Sequence, residues 1–488
     1  MTETAVAPLV KVDIQSYSSF FKDSSFPIAL DTYQRGFVWK DEKASQLIDD
    51  LIEYQRSADP KPAYYMGTIL VHRHASKKKC FVIDGQQRLT ALCVLHHQLK
   101  HDLPSNCALT YSPKSAKRIS EINYLFKENF PHPSEDIFEQ IIFTVIYVEQ
   151  IDLAFTFFDT QNNRGVPLYA TDLLKAYHLR VVSDETIERK ESLQKLCAKR
   201  WEGIQQDSPV MSHKDEFAQQ LFAKFLWRAR YWTGRRVAYG GHDELMEEFQ
   251  QQTWLTEGDS ATIPLYRSRQ NRLGTALSLN RSGHSELHSG RISLSPNPED
   301  LPFAIRQPIH KGIGFFLYAD KYAALLRYLV TAPSDSSEID NFRQVYNQLL
   351  MANSLFLREI FLLASLIYLD QFGDQNLWEF ALWLEHALGA IRLNKQQVRY
   401  EAAQIFFRDN SQNLLDVIAS GFRPEQVVEH LKRYHKHQDI YDGANIESDG
   451  SVQGSYKIAV LTYFDQPNNG PLKGKIQWIS RKIEGSKS

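Results

Sequence analysis

The apolar run Cys80-Phe-Val-Ile83 stops at Asp84-Gly85, and beyond it leucines recur at positions 89, 92, 95 and 99. Consecutive apolar residues followed by helical spacing read as a strand that becomes a helix within a single turn. This chain is therefore neither all-helical nor all-strand, and the motif DGQQR at 84–88 occupies the junction. A helix start presents free backbone N–H groups, and Gly85 allows a close approach that a side chain would block. The corner is thus a ready seat for an anion. Arg88 adds a planar cationic fork for phosphate oxygens, Gln86 or Gln87 can orient a water or a base, and Asp84 can hold a metal or a hydroxyl. The competing reading is a capped strand–helix junction locked by an arginine salt bridge, and residue types alone leave both open.

The surrounding 180 residues mix strand and helix signals. Pro27-Ile-Ala-Leu30, Tyr65 to Val71 and Ile141 to Val148 read as strands, with a basic connection from His72 to Lys79 before the strand at 80–83. Ala44, Leu47, Ile48, Leu51 and Ile52 share one helix face. Between the first strand and that helix lies Tyr33-Gln34-Arg35-Gly36-Phe37-Val38-Trp39. Its aromatics can stack on a base while Gln34 and Arg35 read an edge or a phosphate, or the segment can be an aromatic lid over the core. Asn162-Asn-Arg-Gly165 is a turn, and Thr171 or Asp172 can cap a helix over Leu173 to Val182.

From about residue 185 the pattern is mainly helical, with stretches at 214–232, 320–331, 338–369, 375–392, 396–407 and 424–436. Thr253 to Asp300, rich in Ser, Gly, Asn and Arg, reads as a long loop. Gly443 to Gly454 reads as a linker, and Ser455 to Phe464 with Lys473 to Ser480 alternate as a small hairpin or sheet would. The most apolar run, Leu349 to Leu369, carries Arg358 and Glu359 at its centre, which are costly in hydrocarbon, so it is expected to be a core helix and not a membrane span. At 488 residues, with 43% hydrophobic and 23% charged residues, the chain has ample core for several domains and is not disordered. The four cysteines lack a CxxC pair and the N-terminus lacks a signal-peptide pattern, so a reducing cytoplasm is expected.

A formal net charge of -2 means that any nucleic-acid contact needs a local basic patch. By composition the best patch is Arg228, Arg230, Arg235 and Arg236, interleaved with Trp227, Tyr231 and Trp232 and extended by Arg267, Arg269 and Arg272. The alternative is a helix with buried tryptophans and solvated arginines. No metal site is expected, because His72/His74 and His96/His97 lack carboxylate or cysteine partners. Gly470 to Lys475 is one residue short of a P-loop, and Ile476 stands where Ser or Thr is required. His430, His435 and His437 lack the companions of an HNH nuclease and are expected to face solvent.

In order and spacing, YQRGFVW at 33–39, YMGTILV at 65–71, FVIDGQQRLTAL at 81–92 and NNRGVPLYATDLLKAY at 162–177 resemble a known family. It is the ParB/sulfiredoxin-like domain family that includes the GmrS part of GmrSD modification-dependent restriction systems. FAIRQPIHKGIGFF at 303–316 and LNKQQVRYEAAQIFF at 393–407 are similar to the helical region that follows in the same proteins. The resemblance implies an α+β protein in which a ParB/sulfiredoxin-like mixed domain over 15–185 precedes a large mainly α-helical region over 186–440, with a loop near 253–300. A small β-containing segment over 441–488 completes it. It also implies an NTP site, with Mg2+, formed by Asp84, Gly85, Gln86, Gln87 and Arg88 and lined by Tyr33, Gln34, Arg35, Asn162 and Arg164. Asp84, Gln87 and Arg88 would carry hydrolysis, while Gly165, Asp172 and Lys175 match supporting positions. The expected function is an NTP-using sensor subunit of an anti-phage restriction system, acting on modified DNA with a separate nuclease because no HNH motif is present. The alternatives are a non-hydrolysing nucleotide or modified-DNA switch and, less favoured, a self-contained nuclease.

Overall fold

A computed structural model describes residues 10–31, 34, 36–57, 62–128, 131–150, 153–154, 169–182, 186–205, 208–210, 216–254, 263, 265–266, 268, 275–279, 285–289, 297–408, 412–433, 436–443 and 445–487. Contacts divide the chain into two compact units, residues 1–168 and 169–488. No helix among the described residues is long and apolar enough to cross a membrane.

The first unit is built on one sheet. Its strands are β1 (Val10–Ser16), β2 (Ile28–Ala29), β3 (Tyr64–His74), β4 (Lys79–Asp84), β5 (Cys107–Ala108) and β6 (Ile141–Val148), in the spatial order β1-β6-β3-β4-β2-β5. β1 runs antiparallel to β6 and β3 antiparallel to β4, while β3/β6, β2/β4 and β2/β5 are parallel. Helices α1 (Tyr17–Lys22), α2 (Asp41–Arg56), α3 (Gln86–Lys100), α4 (Pro113–Glu128) and α5 (Ile137–Gln140) complete it. The main core joins Ile69, Val71, Val82, Phe143 and Val145 of the sheet to Leu47, Ile48 and Leu51 of α2 and to Leu89, Leu92 and Leu95 of α3. Each such side chain, fully buried, contributes roughly 1.5–3 kcal/mol relative to exposure. β6 shows why the alternation was readable: Ile141, Phe143 and Val145 are buried, and Ile142, Thr144 and Ile146 only partly so. β1 escaped the sequence reading because an edge strand with one exposed face carries few buried apolar positions. The sheet therefore begins ahead of residue 15.

The second unit is mainly helical. Its helices are α6 (Ala170–Val181), α7 (Ile187–Gln205), α8 (Phe217–Gln220), α9 (Trp227–Tyr231), α10 (His242–Met246), α11 (Ile313–Val330), α12 (Ser337–Val345), α13 (Leu355–Phe372), α14 (Leu377–Asn394), α15 (Tyr400–Arg408), α16 (Leu414–Ser420), α17 (Pro424–Lys432), α18 (Lys436–Gly443), α19 (Val452–Tyr463) and α20 (Lys475–Lys487). A π-helical segment, Leu221–Leu226, joins α8 to α9. α13 and α14 are buried on almost all sides, as their near-continuous apolar sequence demands. Glu359, inside that run, is neutralised by Lys224 at 2.8 Å and Arg228 at 3.1 Å.

Several sequence expectations need correction. The stretch 338–369 is not one helix: a turn follows Leu350, and Ser354 starts α13 by accepting a hydrogen bond from the Leu357 N–H. Thr171 and Asp172 do not cap α6 but lie in its first turn, after Tyr169 at the N-cap. The loop expected at 253–300 contains an antiparallel strand pair, β7 (Thr275–Leu279) with β8 (Ser285–Ser289), in register at Leu277 and Leu287. The small C-terminal β segment is not formed, since α19 and α20 are helices. Tyr456, Val460 and Tyr463 fall on one buried face of α19, and Ser451 caps it at Gly454. The alternation that suggested strands gives way there to burial at helical spacing.

Candidate functional site

Two glycines shape the corner at 84–88. Gly67 interrupts β3 with φ +100°, and the β3/β6 register slips between Tyr65 and Thr68. The bulge aims two carbonyls at Arg88, whose Nη1 donates to Met66 O at 3.2 Å and whose Nη2 donates to Thr68 O at 2.6 Å. A Cβ on Gly67 would stand 2.5 Å from the Arg88 Nη1. Gly85 has φ +90° and ψ 1°, a left-handed conformation open to glycine, and is the N-cap of α3 without a side-chain cap. A Cβ there would press on Ile69 and the Thr68 carbonyl at 3.1 and 3.2 Å. Bulge, arginine and both glycines thus form one interlocked unit. A glycine inside the strand run YMGTILV was its sequence signal.

The segment after Tyr33 is fastened to the same corner. The Gln87 Oε1 accepts from the Val38 N–H at 2.9 Å, and its Nε2 donates to Gly36 O at 2.9 Å. Gln34 Nε2 donates to Ile83 O at 3.2 Å, where the β3/β4 register shifts. Two residues not singled out from sequence hold the segment from α4: Ser115 Oγ accepts from the Phe37 N–H at 3.0 Å, and Arg118 Nε donates to Trp39 O at 2.7 Å. Nothing in the local sequence marks Ser115 or Arg118, because their partners lie some 78 and 79 positions away. Gln86 and Gln87 are buried, whereas Asp84 and Arg88 are partly exposed. Among the described residues the Asp84 carboxylate has no hydrogen-bond or ion-pair partner. The start of a 15-residue helix without a side-chain cap and a carboxylate with no partner among the described residues therefore meet at this corner. Tyr33, Arg35, Asn162, Arg164 and Gly165 lie outside the described residues.

The remaining candidates separate. Asp172 and Lys175 belong to α6, in the second unit. Lys175 is buried, and desolvation pushes its ammonium pKa down against the opposing pull of Glu202, Asp172 and Glu216. Arg228 and Arg230 are not surface cations, which corrects the expected patch. Arg228 pairs with Glu359 and lies over the rings of Trp232 and Tyr400 at 5.2 and 5.1 Å. Arg230 pairs with Glu248 at 2.5 Å and donates to Ile305 O and Gln307 O at 2.9 and 2.6 Å. Their alternation with Trp227 and Trp232 reflects an interior ion-pair layer, because both indoles are buried. Arg235 and Arg236 are exposed on a turn whose Gly234 N–H donates to Asp416 Oδ2 at 2.7 Å. Arg267, Arg269 and Arg272 lie outside the described residues.

His430 is partly buried rather than solvent-facing, and burial lowers its pKa. His435 and the His437 side chain lie outside the described residues. His72 is buried, and no group of three or more metal-ligating side chains forms among the described residues.

Residues 17–179 match the GmrSD restriction endonuclease, N-terminal domain. Residues 193–448, just over half of the chain, match a family of unknown function, DUF7834. The chain belongs to the DUF7834 family. No curated protein matches it.

Proposed function

We propose that the chain is the NTP-using sensor subunit of a DNA restriction system, with nucleotide held at residues 84–88 and cleavage performed by a separate nuclease. The observation that carries this reading is the Asp84 carboxylate, without a partner among the described residues, beside the left-handed Gly85 where α3 starts without a side-chain cap. The match to the GmrSD N-terminal domain supports the restriction setting and DNA as the partner. Polyphosphate would lie against the α3 amides, with the charge of Arg88 behind it. Water attacks the terminal phosphorus, the bond to the bridging oxygen breaks, and inorganic phosphate leaves. Magnesium fits the donor set, because one carboxylate plus phosphate oxygens is its usual environment, and it would offset phosphate charge.

Gln87 and Arg88 position the site more than they touch substrate, since their side chains tie residues 36–38 and the β3 bulge to α3. That engagement favours a second reading, in which nucleotide is bound as a switch and not hydrolysed. Phosphate release by the full chain with each of the four NTPs and magnesium separates the two. Asp84→Ala is expected to lower turnover about a hundredfold or more with an unchanged melting temperature. Equal rates in the parent, Asp84→Ala and Arg88→Ala would end the hydrolysis reading, and a nucleotide-dependent rise in melting temperature without turnover would establish the switch. For DNA, the double change Arg235→Ala with Arg236→Ala is expected to weaken low-salt binding and flatten its salt dependence by up to about two charges. Unchanged affinity and slope remove these residues from the interface.

A further inference from the structure

β1 closes one edge of the six-stranded sheet, with β6 on its inner side and no strand among the described residues on its outer side. An edge of this kind offers unpaired N–H and C=O groups to another strand. Folded chains usually blunt such an edge with charge, but here the sequence Val10-Lys11-Val12-Asp13-Ile14 is self-complementary when read against itself in reverse. With two copies antiparallel and Val12 opposite Val12, each Lys11 faces an Asp13 and each Val10 faces an Ile14. The side chains suited to this are on the surface: Val12 is 57% and Ile14 73% exposed. Lys11 and Asp13 already share one face of the strand, with Lys11 Nζ 2.6 Å from Asp13 Oδ2.

We propose that the chain forms a two-fold dimer in which β1 pairs antiparallel with β1 of a second copy, centred on Val12, extending the sheet across both copies. Register is set by charge. Sliding the pair by two residues sets Lys11 against Lys11 or Asp13 against Asp13, and like charges directly opposite destabilise a ladder. A one-residue slip turns the exposed apolar row toward the opposite face. The two-fold axis repeats every cross-strand contact, so a single substitution acts twice. The inference is independent of the nucleotide reading, because β1 lies outside residues 84–88.

The test is sedimentation of the full chain across micromolar concentrations. The parent is expected to be a dimer. Lys11→Asp and Asp13→Lys, each creating two like-charge oppositions, are expected to weaken association about tenfold or more. An equimolar mixture of the two variants sets two acidic residues on one strand against two basic ones on the other, and is expected to recover the dimer as a heterodimer. Val12→Pro, which removes a ladder N–H, is expected to abolish it. Circular dichroism matching the parent shows that each variant is folded. A parent that remains monomeric throughout, a dimer indifferent to both charge reversals, or a mixture that fails to reassociate would each overturn the proposal.

Discussion

A histidine with both ring nitrogens engaged by the backbone must lose a hydrogen bond to accept a proton. His178 is in that position: Nε2 donates to Phe249 O at 2.7 Å, Nδ1 accepts from the Gly312 N–H at 3.2 Å, and the ring stacks on Phe315 at 3.8 Å. Burial therefore pushes its pKa down from 6.5 to about 3. The unfolded chain then binds the extra proton between these two values, so the contribution to stability is complete above about pH 6.5 and is lost as pH falls toward 3. Urea unfolding across that window should show a slope of up to about 1.4 kcal/mol per pH unit from this group. His72, His96, His310 and His430 are shifted in the same direction, so His178→Gln is the control and its pH profile should be flatter. A profile parallel to the parent would remove His178 from this role. At the nucleotide corner, the strand–turn–helix of 84–88 was readable from apolar spacing. That Arg88 turns to the carbonyls of Met66 and Thr68 was not, because those groups are supplied by a bulge some twenty positions earlier.

Helices α19 and α20 are held by a group that no local pattern announces. Lys475, fully buried, lies 2.6 Å from Glu385 Oε2 of α14 and donates at 3.0 Å to the hydroxyls of both Tyr441 and Tyr456. The Tyr456 hydroxyl donates to Glu385 Oε1 at 2.5 Å, and the Tyr441 hydroxyl donates to His386 O at 3.0 Å. Desolvation pushes the Lys475 ammonium pKa down while Glu385 opposes it, so the pair is retained by its own hydrogen bonds. Lys475→Met, which leaves Glu385 buried and unpaired, is expected to cost about 3–5 kcal/mol in urea unfolding. Adding Glu385→Leu should recover at least half of that loss, because the uncompensated charge is gone. If the second change deepened the loss instead, the pair would be a net source of stability. Residues 455–464 read as strand by their alternation; Tyr456, bonded to Glu385 of α14 and to Tyr441 of α18, fastens the segment as a helix instead.

Across the whole chain, the sequence match to the GmrSD N-terminal domain ends at residue 179, whereas contacts place the unit boundary between Leu168 and Tyr169. The difference is α6, whose Leu174, His178 and Leu179 are buried within the second unit. A chain cut after residue 168 should therefore give a second fragment, 169–488, that stays soluble and unfolds cooperatively. A cut after residue 182 should leave the second fragment without α6 and prone to aggregate, and size-exclusion chromatography of the fragments 169–488 and 183–488 distinguishes them. Equal behaviour would mean that α6 is dispensable to the helical unit. Periodicity in the chain was enough to establish a mixed unit followed by a mainly helical one, the strand–helix corner at 84–88, and the helices whose apolar faces repeat every three to four residues. Such signals are local, and burial of one face enforces them wherever the segment folds. Folding in three dimensions alone settled the edge strand β1, the C-terminal helices, the interior fate of Arg228 and Arg230, and the engagement of Gln87 and Arg88. Each of these depends on a partner tens of residues or more away in the chain, and the cost of burying an unpaired polar group, which selects that partner, leaves no mark on neighbouring residues.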